Sequence, residues 1–552
     1  MTELTTRYLT KRKNELKATR SAWEPHWKDC QKFILPISAR FLEEKVSGRN
    51  FNAIIDNTGT VASRVLASGL MSGLTSPARP WFKLVHPNSE LAALKHIKAW
   101  SEEVTERMRF VFRSSNLYQV LPSMYRELGV YGTAACLPIA DEQKVIRFRQ
   151  FSVGEYYIGA GAKRTVDTLY RHYSRTVKQL VEEFGYNEVS NRTRRMYDKE
   201  NFEQTIMINH LIEPNLGRNF ARNDNKNMAF ISVYWEDGGD QNKHLRQSGF
   251  ETFKPLVPRW DLMVGDDYGY GPATEALGDV KQLQHQQKFK GLAIEKKVNP
   301  PLTADAAMRG DIISNAPNSV TYLPASNNPN AHGIKSQYEK NVDISHLSLD
   351  IQEVQNRIDT AFYKDLFLMI TSDTSAGRAT ATEIAEKHQE KLLMLGPVLQ
   401  RFNDELLKPI ISRTFEEMIN NDFIPEVPEE LQGQEITVEF ISLLAQAQEI
   451  VGIGGIERLV GFAGNLAQFK PEVLDVLDGD AAVKEYSEML GAPTSLIKTK
   501  EDVAALRQGR AEQQQMQQMA EMAPAMAQGA QAAKTLTETD TAGLVDKING
   551  GV

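Results

Sequence analysis

Gly265-Asp266-Asp267 is the stretch of this chain best equipped for chemistry. Adjacent carboxylates in a tight turn can hold Mg²⁺, which takes hard oxygen ligands. On that reading, Asp266 and Asp267 would serve a metal-dependent nucleic-acid enzyme. The plainer reading is a turn, because the tripeptide leads straight into Tyr268-Gly269-Tyr270-Gly271-Pro272 and a helical pattern. A second group is cationic. Lys281, Lys288, Lys290, Lys296 and Lys297 lie along that helical pattern, either as a solvated face or as sparse, weak contacts to phosphates.

Gly265-Asp266-Asp267 resembles the metal-holding hairpin of some polymerases, but no wider catalytic constellation accompanies it. The chain lacks the Gly-x-x-x-x-Gly-Lys-Ser/Thr loop that cradles nucleotide phosphates, and it lacks His-Glu-x-x-His. Gly69-Leu70-Met71-Ser72-Gly73 has the wrong spacing for a nucleophile elbow. Cys30 and Cys136 are its two cysteines, too few for a disulfide framework or a cysteine zinc site. No cofactor or metal is expected.

Composition narrows the class further. The chain has 552 residues, 41% hydrophobic and 24% charged, as expected for a multidomain globular protein. No apolar run approaches the roughly 18 residues of a membrane helix. Met1 to Arg20 is charged from the start, unlike a secretory leader. The net charge of −7 argues against a tight, sequence-neutral DNA binder, which is normally basic. It fits a surface that DNA must pass without sticking, since like charges repel phosphate.

The elements that would position these residues are mainly helical, in an α+β arrangement. Residues 1–130 read as mostly helical, with a short strand at Trp81-Phe82-Lys83-Leu84-Val85. Strand patterns occupy 134–139, 145–151, 155–158, 165–173, 205–212, 228–235 and 250–257, and Thr176 caps a short helix over 177–184. Trp23 and Trp27, at i and i+4, read as core packing. Two helices of nearly equal length then flank a Pro/Asn-rich insert. The first runs from Pro272 to about Lys297, some 39 Å at 1.5 Å per residue, and Asn299-Pro300-Pro301 stops it. The second runs from Asp343 to about Met369, with a seam at Ile344, Leu347, Ile351, Val354, Ile358 and Ala361.

Gln284, His285, Gln286 and Gln287 interrupt the apolar stripe of the first helix, which predicts packing against further copies rather than within one subunit. Thr371 to Arg378 reads as a flexible loop, and Thr380-Ala381-Thr382-Glu383 as a capping box. A third helix follows, with a kink expected at Gly396-Pro397. From Arg507 the chain is rich in Gln, Met and Ala, as in a frayed helix or disordered tail.

In order and spacing, several of these segments together resemble the head-to-tail connecting (portal) proteins of short-tailed phages, over almost the whole chain. They are Arg79-Pro80-Trp81-Phe82, Tyr268-Gly269-Tyr270-Gly271-Pro272, Asn299-Pro300-Pro301, Thr380-Ala381-Thr382-Glu383 and Leu443-Leu444-Ala445-Gln446-Ala447-Gln448. The resemblance implies a dodecameric ring at one capsid vertex of the virion, assembled in the host cytoplasm. Residues 1–267 would form a wing, 268–297 and 343–366 a two-helix stem, and 298–342 a small α/β clip. Residues 367–378 would form a tunnel loop carrying Thr371, Ser372, Asp373, Thr374, Ser375, Gly377 and Arg378. A kinked helix (379–424), a crown (425–506) and a tail (507–552) would follow. The implied function is a conduit for double-stranded DNA, with no enzymatic activity and no membrane. The implied partners are the large terminase subunit, major capsid protein, scaffolding protein and tail adaptor or nozzle proteins. A coiled-coil scaffolding or adaptor protein is the structural alternative.

Overall fold

The computed structural model describes residues 5–36, 54–92, 94–222, 224–299, 302–303, 335–336, 344–371, 381–434, 436–467, 469–470, 472, 476–483, 503, 506–510 and 513. It contains two compact units, residues 1–452 and 453–552. Helices α1 (Thr6–Ser21), α2 (Glu24–Phe33) and α3 (Thr58–Leu74) come first, then strand β1 (Phe82–Val85). Helices α4 (Ser89–Ala92), α5 (Lys95–Ser114) and α6 (Leu117–Tyr131) precede β2 (Ala135–Asp141), β3 (Val145–Phe151), β4 (Tyr156–Ala160) and β5 (Val166–Thr176). Next are α7 (Val177–Phe184), α8 (Asn191–Asp198), β6 (Thr205–Pro214), β7 (Phe230–Glu236) and β8 (Arg246–Phe250). The second half contains α9 (Pro272–Val298), the two-residue strands β9 (Leu302–Thr303) and β10 (Lys335–Ser336), α10 (Ile344–Ala361) and α11 (Lys364–Thr371). It continues through α12 (Ala381–Phe402), a π-helical turn (Asn403–Leu407), α13 (Lys408–Asn420), β11 (Thr437–Phe440) and α14 (Leu443–Ala467). The protein is α+β and mainly helical, as the sequence predicts.

Strands β4 to β8 form one antiparallel sheet in chain order. One face carries Tyr157, Tyr170, Leu211, Val233 and Trp235 and packs on Leu9 and Leu16 of α1. The other face carries Tyr173, Ile206, Ile208 and Tyr234 and packs on Val177, Leu180 and Phe184 of α7. Thr176 caps α7 as predicted, in a reciprocal capping box with Gln179. The last strand differs from the sequence expectation of 250–257, for it runs from Arg246 to Phe250. Pro255 and Pro258 cannot donate to a ladder, so beyond it the chain makes isolated bridges, such as Leu256 to Cys136 and Arg259 to Thr133.

The main core gathers α2, α3, α5, α6, the first half of α9, and α10 to α13. Trp27 belongs to it, with Nε1 donating to the Tyr131 carbonyl at 3.2 Å. Small residues on α3 permit close helix approach. At Gly69 a Cβ would collide with the ring of Phe367, which is fully buried. The short seam of α10, like the polar first helix, reads in sequence as needing a second copy, and the fold corrects that expectation. Ile351, Val354 and Ile358 are buried within one subunit, so this part of the seam is satisfied against α9 and α3 without another copy. The second long helix is also not continuous to Met369. It breaks after Ala361, where Tyr363 takes a left-handed φ of 53°. The break lets Phe362, Leu366 and Phe367 all reach the core, which one straight helix would not do.

Candidate functional site: the helix pair and its base

The start of α9 is fixed by glycine and proline. A Cβ at Gly271 would collide with the carbonyl oxygens of Leu128 and Gly129, so only glycine lets the chain cross the end of α6 this closely. Pro272 then occupies the first turn, where its missing N–H leaves nothing unsatisfied. Tyr268 is fully buried just before them. Its hydroxyl accepts the Ile158 N–H at 3.0 Å, and its ring meets Trp27 edge-on at 5.1 Å.

α9 and α10 pack antiparallel. Arg357 reaches Asp279 at 3.1 Å, and Gln286 donates to Asp350 further along. This register places Ile344 opposite Leu292. Asp56, ahead of α3, ties both helices down. Its Oδ2 accepts from Gln287 at 2.8 Å and from Gln355 at 2.9 Å, while Oδ1 accepts the Thr58 N–H at 2.8 Å. Burial alone would raise the pKa of this carboxyl. The donors from Thr58, Gln287 and Gln355 outweigh burial and hold it below the ordinary range. Gln284 breaks the apolar stripe in sequence, yet it is buried. Its Oε1 accepts the N–H groups of Ile55 and Asp56 at 2.7 and 2.9 Å, and its Nε2 donates to the Asp56 carbonyl.

Gln284 also marks a boundary. Every buried residue of α9 lies between Pro272 and Gln284. Beyond it, Phe289 and Val298 are 60% and 79% exposed. The expectation that α9 is too polar for a subunit core therefore holds for its second half only. Its first half buries Ala273, Ala276, Leu277, Val280 and Leu283.

The loop that leads into α9 is clamped from the other side. Arg259, 2% exposed, pairs with Glu405 at 2.5 Å and also donates through its backbone N–H to the same carboxylate at 2.9 Å. One turn earlier on α12, Arg401 donates to the Trp260 carbonyl at 3.0 Å and to Asp261 at 2.9 Å. Glu405 stands in the π turn, where the Lys408 N–H reaches back to the Asn403 carbonyl. Pro409 offers no N–H to the Glu405 carbonyl, so an α-helical ladder would lose a bond here anyway. The helix itself continues through Gly396 and Pro397, and the ladder changes register later, at 403–407. Sequence reasoning missed both clamps, since their partners are 140 to 146 residues apart and follow no periodicity.

Asp266 and Asp267 do not act as a pair. The Asp266 N–H closes a turn onto the Met263 carbonyl at 3.2 Å. Asp267 is half-buried and accepts the Ala160 N–H at the outer edge of β4; burial pushes its pKa up. Among the described residues, no three His, Cys, Asp or Glu side chains gather where a metal could bind. Among the lysines, Lys281 pairs with Asp29 of α2 at 2.6 Å. Lys288, Lys290, Lys296 and Lys297 lie on the half of α9 beyond Gln284 and form no ion pair among the described residues. Thr371 ends α11, while Ser372, Asp373, Thr374, Ser375, Gly377, Arg378 and Thr380 lie outside the described residues. So does most of 298–342, including the strand expected at Ser319 to Leu323.

A family profile described as bacteriophage head to tail connecting protein matches residues 6–497. The chain belongs to this family. It is 44% identical over 535 residues to the probable portal protein of Bordetella phage BPP-1, covering 97% of this chain and 95% of that one. It is 43% identical over 544 residues to the portal protein of Salmonella phage epsilon15, covering 98% and 97%. A chain from the neck of an empty gene transfer agent particle aligns at 10% identity with a TM-score of 0.36, over 79% of this chain and 90% of that one.

Proposed function

We propose that this protein is the subunit of a phage portal, a ring at one capsid vertex through which double-stranded DNA enters and leaves. Near full-length similarity to two portal proteins carries this reading. The role is structural rather than enzymatic. The antiparallel pair α9–α10 is the stem, anchored through Asp56 and Gln284. Residues 1–267 form the wing, 298–342 the clip that receives the large terminase subunit and later the tail adaptor, and 425–506 the crown. Of the stretch 367–378, Phe367 to Thr371 belong to α11, and Ser372 to Arg378 after it form the tunnel loop beside the passing DNA, while Gly396-Pro397 lets the helix over it bend. The second half of α9 suits a wet channel wall, where Lys288, Lys290, Lys296 and Lys297 make weak phosphate contacts. Lys281 is occupied by Asp29 and contributes least. The ring nucleates capsid assembly with major capsid and scaffolding proteins in the host cytoplasm.

Electron microscopy of the purified protein tests the reading. Rings of identical subunits around a central channel, twelve in number, are the expected outcome. A stable monomer at micromolar concentration and ordinary salt, by sedimentation, would overturn it.

A further inference from the structure

Two loops of this subunit present large apolar side chains almost wholly to solvent. The first joins β6 to β7 and shows Leu216 at 94% and Phe220 at 88% exposure. It is not a slack excursion. Asn215 donates to the Met228 carbonyl at 3.1 Å, Asn227 accepts the Asn219 N–H at 2.8 Å, and Asn227 donates to the Arg222 carbonyl at 2.7 Å. Arg218 pairs with Glu251 at 2.8 Å and lies over the Phe220 ring. The second loop precedes α9 and shows Met263 at 59% and Val264 at 101%. It is equally fixed, by the turn from Asp266 to Met263, by Arg401 on Asp261, and by Arg259 on the Asp267 carbonyl. Ordering a side chain or loop on association costs free energy, and here the protein's own bonds have already met that cost.

Their placement on the sheet is complementary. The 263–267 turn stands against the free edge of β4, where Asp267 and Tyr268 accept the Ala160 and Ile158 N–H groups. The 215–229 loop leans on β8 through Arg218 and Glu251. Strands β4 and β8 are the opposite edges of the sheet, about 19 Å apart at the usual strand spacing. Both loops lie at the same end of it, where β4, β6 and β8 finish and β5 and β7 begin. Two apolar tips on opposite edges cannot meet within one chain. They can meet between successive copies turned about a common axis, which is the heterologous contact that closes rings. Charge does not set this pairing. Arg222 and Lys226 outnumber Asp224 on the first loop, and Asp266 stands beside Val264 on the second. Lys163 and Arg164 on the adjoining β4–β5 turn outnumber it, so the apolar tips are the anchors.

We infer that Leu216 and Phe220 of one copy dock on Met263 and Val264 of the next, so that each subunit is joined to its neighbour across the edges of this sheet. The inference rests on the ring reading above and names the surfaces that join its subunits. Covalent trapping tests it. Cys30 and Cys136 are buried, and burial pushes the Cys30 thiol up to about 12, so neither competes as a crosslinking thiol. The double variant L216C/V264C, oxidised and run without reductant, is expected to give a ladder of covalent oligomers, while each single variant gives none. Rings in the microscope without a ladder would overturn this contact and leave the ring reading intact. A ladder from particles that are not rings would support the contact and overturn the ring. Neither ladder nor ring would overturn both. In parallel, L216S/F220S, checked for a native circular dichroism spectrum, is expected to need at least about tenfold more protein for half-assembly, as losing even one buried large apolar side chain implies. Assembly unchanged in a folded L216S/F220S protein would also overturn the contact.

Discussion

Asp56 shows how much of the helix pair depends on single polar side chains. Its carboxylate accepts from Thr58, Gln287 and Gln355, joining three segments. Because these donors hold its folded pKa below the ordinary range, its contribution is complete above about pH 4. It is lost as pH falls through the depressed folded value. Replacement by Asn should therefore cost about 1.5–3 kcal/mol at pH 7, the worth of hydrogen bonds to a charged group. Urea unfolding of wild type and Asp56→Asn from pH 7 down to pH 3 checks this, and the gap should narrow steadily below about pH 4. None of it was legible in the sequence. Asp56 reads there as one more acid before a helix, and Gln284 reads as a break in a stripe. Only the fold shows that Gln284 is buried because it bonds the backbone of residues 55 and 56.

Among the elements, starts and stops were legible where proline, glycine or a cap sets them. Pro272 opens α9, Thr176 caps α7, and α9 ends at Val298 before Asn299-Pro300-Pro301. The breaks that tertiary packing imposes were not. Tyr363 interrupts what periodicity presents as one helix, and the π turn at 403–407 carries no local signature beyond Pro409. Both exist so that distant groups can meet: Phe367 with α3, and Glu405 with Arg259. The α3–α11 contact gives a direct prediction. In Gly69→Ala the new methyl group meets the Phe367 ring, and overpacking of this kind costs about 1–3 kcal/mol. Combining it with Phe367→Ala should cost clearly less than the two single changes added together, because the second removes what the first strikes. Denaturant unfolding of the four proteins measures the coupling, and strict additivity would refute the contact.

At the scale of the whole molecule, each subunit brings a net charge of −7 to any assembly. Like charge opposes association and is screened over about 10 Å at 0.1 M salt. Raising sodium chloride from 20 to 300 mM should therefore favour the oligomer, with sedimentation velocity as the readout, whereas contacts dominated by ion pairs would weaken. The register of α9 on α10 has a different consequence. The chain departs at Val298 and returns at Ile344, at one end of a pair that Asp56 ties together further along. Closing a longer excursion between two such fixed points adds only about 0.6 kcal/mol for each doubling of its length. The segment between them can thus be lengthened, shortened or exchanged over evolutionary time while the frame beneath keeps its geometry. On the proposed reading of the pair as a stem, it is a socket whose contents a lineage can refit without rebuilding the frame.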